Sequence, residues 1–268
     1  MKKISFILIA ALFIITSCEK ENNSNQLSKQ NSNNLYKSVY LNDTIFNDTL
    51  YGVIHNECLD YITKHSQFPY ITRDERLLKQ YVYEYLIKKY GEYDTNKLPF
   101  KPIMYDNYSD LATNLYNNSK ISNNVLNYFK ILDNISISSK DISDFDYKIA
   151  SLVANVNENI ELLETEKHLI NSSCLFFRSS TVYWYNASKN INSAWYVYKD
   201  YFPIFKSIIN SKKPSMSIMG ISLADGLTFL GRFADCSSDC PVDKASPCSR
   251  LCAQDAAYNA LYASVCAM

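Results

Sequence analysis

Three histidines, eight cysteines and a few acidic residues at helical spacing carry most of the side-chain chemistry this chain could perform. His55-Asn56-Glu57 forms one group, with His65 further along. Glu161, Glu164 and His168 form a second, and their spacing of three and four places them on one helix face. An E-x3-H pair on one face is half of a metal site. Catalytic zinc needs three protein ligands and an open fourth position. His55, Glu57, Glu164 and His168 are therefore the metal candidates, and a metal-assisted hydrolase is one functional alternative if the fold brings them together. The competing reading makes Glu161, Glu164 and His168 a solvated helix face. No nucleophile elbow, P-loop or dinucleotide fingerprint occurs. Nothing singles out a glycosidase-like pair of carboxylates. Cys58 and Cys174 lack a His partner in sequence and read as buried structural thiols. No catalytic residue and no cofactor is expected.

Five of the eight cysteines crowd the last 33 residues as Cys236, Cys240, Cys248, Cys252 and Cys266. A spacing of four puts both thiols of each C-x3-C pair on one helix face. The intervening Pro-Val-Asp-Lys-Ala-Ser-Pro reads as a turn. Two short helices folded back across it could join Cys236 to Cys252 and Cys240 to Cys248, and Cys266 could pair with Cys58 or Cys174. Zinc is the competitor, but structural zinc sites favour tighter C-x2-C knuckles. Disulfides are expected, since exported chains meet an oxidising setting. Such paired C-x3-C motifs resemble disulfide-stapled helical hairpins in general, a resemblance that implies no activity.

The first 18 residues explain why export is expected. MKKISFILIAALFIITSC has a basic start at Lys2 and Lys3 and an apolar run from Ile4 to Ile15. That run fits a signal peptide and is too short to span a bilayer. Ile15-Thr16-Ser17-Cys18 resembles the lipobox of bacterial lipoproteins. The resemblance implies cleavage after residue 17 and lipidation of Cys18, palmitate included. Each buried methylene of an acyl chain contributes about 0.8 kcal/mol to anchoring. Residues 19–34 are almost all Asn, Ser, Gln, Lys and Glu. They cannot bury enough apolar area to offset ordering, and read as a disordered tether reaching roughly 55 Å when extended. Glu19-Lys20-Glu21 resembles the surface-export signals of Bacteroidota lipoproteins, with one acid after the lysine where two are usual. The expected address is the outer membrane, facing either the periplasm or the outside.

The body beyond residue 35 reads as all-α. Thr72 is the expected N-cap of a helix with Glu75 at the capping-box position, ending near Gly91. Ser109 and Ser122 open two shorter helices. Ile142, Phe145, Ile149, Leu152, Val153, Val156, Ile160, Leu163 and Ile170 sit mostly three or four apart and predict one long amphipathic helix over 141–170. Asn171-Ser172-Ser173 would kink or continue it. No period-two stretch is long enough for a sheet. The expected fold is an irregular helical bundle with a disulfide-braced C-terminal hairpin. Its expected divisions are a signal peptide at 1–17, lipidated Cys and tether at 18–34, a helical domain at 35–232 and a Cys-rich hairpin at 233–268.

Gly52-x-x-His55-Asn56-x-x-Leu59-Asp60-Tyr61 and Ser179-Ser180-x-x-Tyr183-Trp184 are similar to stretches in uncharacterised helical lipoproteins of Bacteroidota. That resemblance spans roughly 50–200 and implies no activity, catalytic residue or cofactor. Formal net charge is zero, which excludes a whole-chain electrostatic footprint for nucleic acid. Tyrosine is abundant, at 22 residues. Clusters such as Tyr83, Tyr85, Tyr90, Tyr93 and Tyr183 to Tyr198 suit glycan or protein contact, though a core role is favoured. The expected function is a membrane-anchored, non-enzymatic binding module for an envelope protein or glycan. A membrane-active antagonist acting through the small-residue apolar segment 218–232 is a further alternative.

Overall fold

A computed structural model describes residues 50–90, 107–210, 214–238 and 245–266. Among them, every regular element is helical. We number the α-helices α1 (Leu50–Thr63), α2 (Glu75–Tyr90), α3 (Tyr108–Asn117), α4 (Asn123–Ser138), α5 (Ile142–Glu158), α6 (Glu164–Lys189), α7 (Ala194–Val197), α8 (Pro203–Ile209), α9 (Pro214–Ser237) and α10 (Ala245–Cys266). The all-α expectation holds. None of the described helices is long and apolar enough to cross a membrane. Cys18, the tether, Tyr93 and Cys240 lie outside the described residues.

Capping chemistry sets several helix starts. Ser122 accepts from the Val125 amide as expected. Asn107, rather than Ser109, caps α3 by accepting from Asp110 N at 2.8 Å. Asp74 caps α2, accepting from Leu77 N at 3.0 Å. Thr72 instead closes a 3-10 turn over Tyr70–Arg73 by donating to Pro69 O. A carboxylate two residues closer to the helix displaced the hydroxyl as the cap.

The helix expected over 141–170 is two helices. Asn159 ends α5: its side chain accepts from Glu161 N at 2.8 Å and donates to Tyr128 Oη at 2.9 Å. Glu166 then accepts from Leu163 N at 2.9 Å and starts α6. Ile160 and Leu163 continue the apolar spacing yet are 95% and 67% exposed. Their periodicity is a coincidence of composition at a loop. Asn171-Ser172-Ser173 continues α6 without a break, buried.

Helix α6 is the axis of the molecule. Phe176, Phe177 and Trp184 are buried on it, and α1, α5 and α9 pack along it. Contacts of α1 with α6 run in step, from Gly52 beside Ser179 to Asp60 beside Tyr183, so these two helices are parallel. Gly52 is required for that approach. A Cβ there would strike the Cβ of Ser179 and meet Phe176 Cα at 3.5 Å. Gly52→Ala should cost about 2 kcal/mol through overpacking, read by urea denaturation, with Ser179→Gly restoring part of the loss.

Helices α9 and α10 are antiparallel, since Cys236 joins Cys252 and Asp225 meets Ser264. The expected Cys236–Cys252 bridge is present, with Cα atoms 5.4 Å apart. The hairpin arms are longer than the expected short helices, at 24 and 22 residues, and α9 runs unbroken through the 232/233 boundary. Ala253, Ala256, Ala257 and Ala260 of α10 enter the main core, so the arm is integral to the body. Cys58 and Cys174 are both free and buried, so neither is the partner of Cys266. Burial pushes the Cys174 thiol up to about 12 and the Cys58 thiol well above its ordinary value, which keeps both protonated and unreactive. The side chains of Cys248 and Cys266 lie outside the description.

Two apolar clusters make the core. One holds Tyr51, Phe177, Leu227 and Ala260; the other holds Ile54, Trp184, Ile221 and Leu261. On α1, α6 and α9 the changeover from one cluster to the other falls beside a buried polar residue, His55, Ser180 and Asp225, and on α10 buried Ser264 lies within one turn beyond it.

Candidate functional site

Those four residues meet, together with Trp184. Asp225 sits mid-way along a buried face of α9 whose other polar members are the hydroxyls of Ser222 and Thr228, and it is itself fully buried. An isolated buried carboxylate is costly, so it must find donors. Its Oδ2 accepts from Ser180 Oγ in a short bond and from Trp184 Nε1 at 3.2 Å. Its Oδ1 accepts from Ser264 Oγ at 2.5 Å. Ser264 Oγ lies 2.8 Å from His55 Nε2, and that nitrogen is 3.6 Å from Asp225 Oδ2. His55 Nδ1 lies 2.9 Å from Asn56 Oδ1, and Asn56 Nδ2 donates to Ser179 O and Oγ at 3.2 and 2.9 Å.

Burial raises the Asp225 carboxyl above its usual range, opposed by His55 and the bonds from Ser180, Ser264 and Trp184. Burial lowers the His55 imidazole, opposed by Asp225 and the Asn56 bond. His55, Ser180, Asp225 and Ser264 each have no exposed surface. The cluster contains a serine, a histidine and an aspartate, but its hydroxyl stands between imidazole and carboxylate. In a hydrolytic triad the imidazole occupies the middle. With every member sealed from solvent, the arrangement ties helices together rather than meeting a substrate.

The metal candidates are not brought together. His55 turns into the cluster just described. Glu57 accepts from Tyr85 Oη at 2.8 Å and pairs with Lys89. Glu164, at the start of α6, pairs with Lys167 at 3.1 Å, its side chain 89% exposed. His168 packs between Tyr51 and Phe233, with Ser172 Oγ 3.3 Å from its Nδ1. Among the described residues, no group of three or more His, Cys, Asp or Glu could hold a metal ion. The separation has a plain cause: α6 begins only at Glu164, and parallel packing sets Gly52 to Asp60 of α1 against the far half of α6, around Ser179 and Tyr183.

The two motifs quoted for the lipoprotein resemblance are the two sides of this α1–α6 contact. Gly52 and Asn56 face Ser179, Asp60 accepts from Tyr183 Oη at 2.9 Å, and Ser180 and Trp184 reach Asp225. Asp225 and Ser264 are the members that sequence reasoning passed over. The available signal was a lone acid inside the apolar stretch 218–233, which must be paired if buried.

Outside the core, one surface gathers aromatic rings and cations. Tyr70 is 64% exposed and its hydroxyl is 3.0 Å from that of half-buried Tyr201. Tyr198 and Val197 are exposed beside them. Arg73 lies 5.4 Å above the Tyr201 ring and Lys199 4.7 Å above that of Tyr196. Beneath, Trp195 and Phe202 pack on Phe68, so the surface has a rigid floor. Of the clustered aromatics, Tyr85, Trp184 and Trp195 are buried in the core, Tyr83, Tyr183 and Tyr185 are partly buried against it, and Tyr198 is exposed. The segment 218–232 contributes Ile218, Ile221, Leu227, Phe229 and Leu230 to the core as well. No protein-family model, curated protein or solved structure matches the chain.

Proposed function

We propose that this chain is a lipid-anchored protein of the cell envelope whose helical body is a non-enzymatic binding module. The observation that carries the reading is the sequence of residues 1–18, where a basic start, an apolar run of signal-peptide length and a terminal cysteine stand together. The polar segment 19–34 then gives the body freedom to stand off the lipid surface. Tyr70, Tyr198 and Tyr201 with Arg73 and Lys199 form the face best suited to a partner. Ring faces stack on sugars or side chains, hydroxyl tips hydrogen-bond, and the cations favour an anionic group. An envelope glycan or an envelope protein fits that chemistry.

Mass spectrometry of the membrane fraction is the test. The expected product begins at a lipid-modified Cys18, and Cys18→Ala should abolish the acyl mass and leave residues 1–17 attached. An intact, unlipidated chain in the cytosol overturns the reading. For the body, Tyr70→Ala with Tyr198→Ala should lower retention on envelope glycans or envelope proteins at least tenfold while leaving the melting temperature within a few degrees, as surface changes do.

A further inference from the structure

We infer that Asp225, Ser264 and His55 form a proton-holding site, in which one dissociable proton is shared between carboxyl and imidazole through the Ser264 hydroxyl and the buried cluster is net neutral. The argument is a count of hydrogens. Asn56 Nδ2 faces the Ser179 carbonyl, which can only accept, so the orientation of the amide is settled. Asn56 Oδ1 is then the atom facing His55 Nδ1, and that nitrogen must carry hydrogen. In a neutral imidazole Nε2 is left as an acceptor.

Ser264 has one hydroxyl hydrogen, and its two nearest neighbours are His55 Nε2 at 2.8 Å and Asp225 Oδ1 at 2.5 Å, with the Ala260 carbonyl, a further acceptor, at 3.3 Å. If Asp225 is ionised and His55 neutral, both neighbours are acceptors and one contact sets lone pair against lone pair. Moving the histidine hydrogen to Nε2 only transfers the conflict to Asn56. One added proton removes it. Placed on Asp225 Oδ1, it donates to Ser264, which donates to His55 Nε2. Placed on His55 Nε2, it donates to Ser264, which donates to Asp225. The two forms interconvert by passing hydrogens along the serine, with no net gain or loss of charge.

Oδ2 is not where the carboxyl proton sits, because Ser180 and Trp184 both donate to it. Burial favours the uncharged form over the separated pair. The directions of the two groups agree, Asp225 raised and His55 lowered. The groups facing Asp225 are His55 from α1, Ser180 and Trp184 from α6, Ser264 from α10 and the Tyr108 phenol from α3. Burial holds that phenol well above its ordinary value, so it is neutral too. On α9 itself, Arg232 is two turns away and interacts with Asp235.

The sign of the pH dependence follows. Unfolded, Asp titrates near 3.9 and His near 6.5, so between roughly pH 4 and 6.5 the unfolded pair also holds one proton and the site adds no slope. Above about 6.5 the unfolded pair holds none. Unfolding then releases the shared proton, and the site's contribution falls as pH rises through the folded value. Below about 4 the unfolded pair holds two, and the contribution falls again.

Asp225→Asn places an amide where the protonated carboxyl sits. Its NH2 can donate to Ser264 while its oxygen receives Ser180 and Trp184, so it should fold. Calorimetric unfolding of the full chain at pH 8, in two buffers of different ionisation enthalpy, should show wild type releasing one proton more than the variant. Between pH 7 and 8 the ratio of wild-type to variant unfolding constants should rise about tenfold. Equal proton release overturns the inference. If the variant does not fold, isotope-edited spectra of the wild type at pH 8 decide. A protonated Asp carboxyl in the infrared, or a doubly protonated buried imidazole in the 15N spectrum, supports the site; an ionised set of Asp side chains with only neutral imidazoles overturns it.

Discussion

Trp184→Ala is expected to lower stability by about 5 kcal/mol. Trp184 has no exposed surface and its ring contacts Trp195 at 5.2 Å and Phe205 at 6.0 Å between centroids. Removing a buried indole loses its transfer free energy and leaves a cavity, about 3–5 kcal/mol. It also strips a donor from the buried Asp225 carboxyl, worth about a further 1–2 kcal/mol. Trp184→Phe separates the two effects. It keeps most of the volume and loses the N–H, so it should cost about 2 kcal/mol. Urea titrations of both variants measure the difference. Near-equal losses would mean that the hydrogen bond, not the packing, dominates at this position.

Loss of the Cys236–Cys252 bridge is the second large effect. The bond closes a loop with a sequence separation of 16 residues. In the chain-entropy account, a loop of that size contributes about 3 kcal/mol by restricting the unfolded chain. Cys236 is exposed while Cys252 is buried, so the suitable pair of changes is Cys236→Ser with Cys252→Ala. For a body of this size about 3 kcal/mol corresponds to a fall of roughly 6–12 °C in melting temperature. The double variant should also lose any further response to reductant that arises at this bond. A change of under 2 °C would show that the packing of α9 on α10, not the crosslink, holds the hairpin closed.

Helical periodicity was legible wherever apolar spacing and burial coincide. Phe145, Ile149, Leu152 and Val156 are core residues of α5, as their spacing implies. The pattern misled at Ile160 and Leu163, because spacing reports which residues could share a face and says nothing of whether the chain continues past a capping asparagine. The C-terminal cysteines were read correctly as far as Cys236 and Cys252, because C-x3-C pairs flanking a turn permit few pairings. The polar site was half legible. His55 and Asn56 drew notice, but their partners come from residues more than a hundred positions away. Ser180, Asp225 and Ser264 are ordinary residue types with no local signature, and only the packing of four helices makes them a group. Searching for metal ligands favoured His168, whose helix face packs against Tyr51 and Phe233 instead.

The alanines of α10 have a consequence beyond their place in the core. Ala253, Ala256, Ala257 and Ala260 present a nearly smooth strip to the rest of the body. Methyl groups of one size nest almost equally well after a shift of one turn, so such a strip says little about axial position. A one-turn slide of about 5.4 Å would carry Ser264 away from Asp225 and leave a carboxyl facing hydrocarbon. The acid thus serves, beside the Cys236–Cys252 bridge, as a second index mark, selecting one nesting of the helices from several that oil and methyl groups alone would leave nearly degenerate.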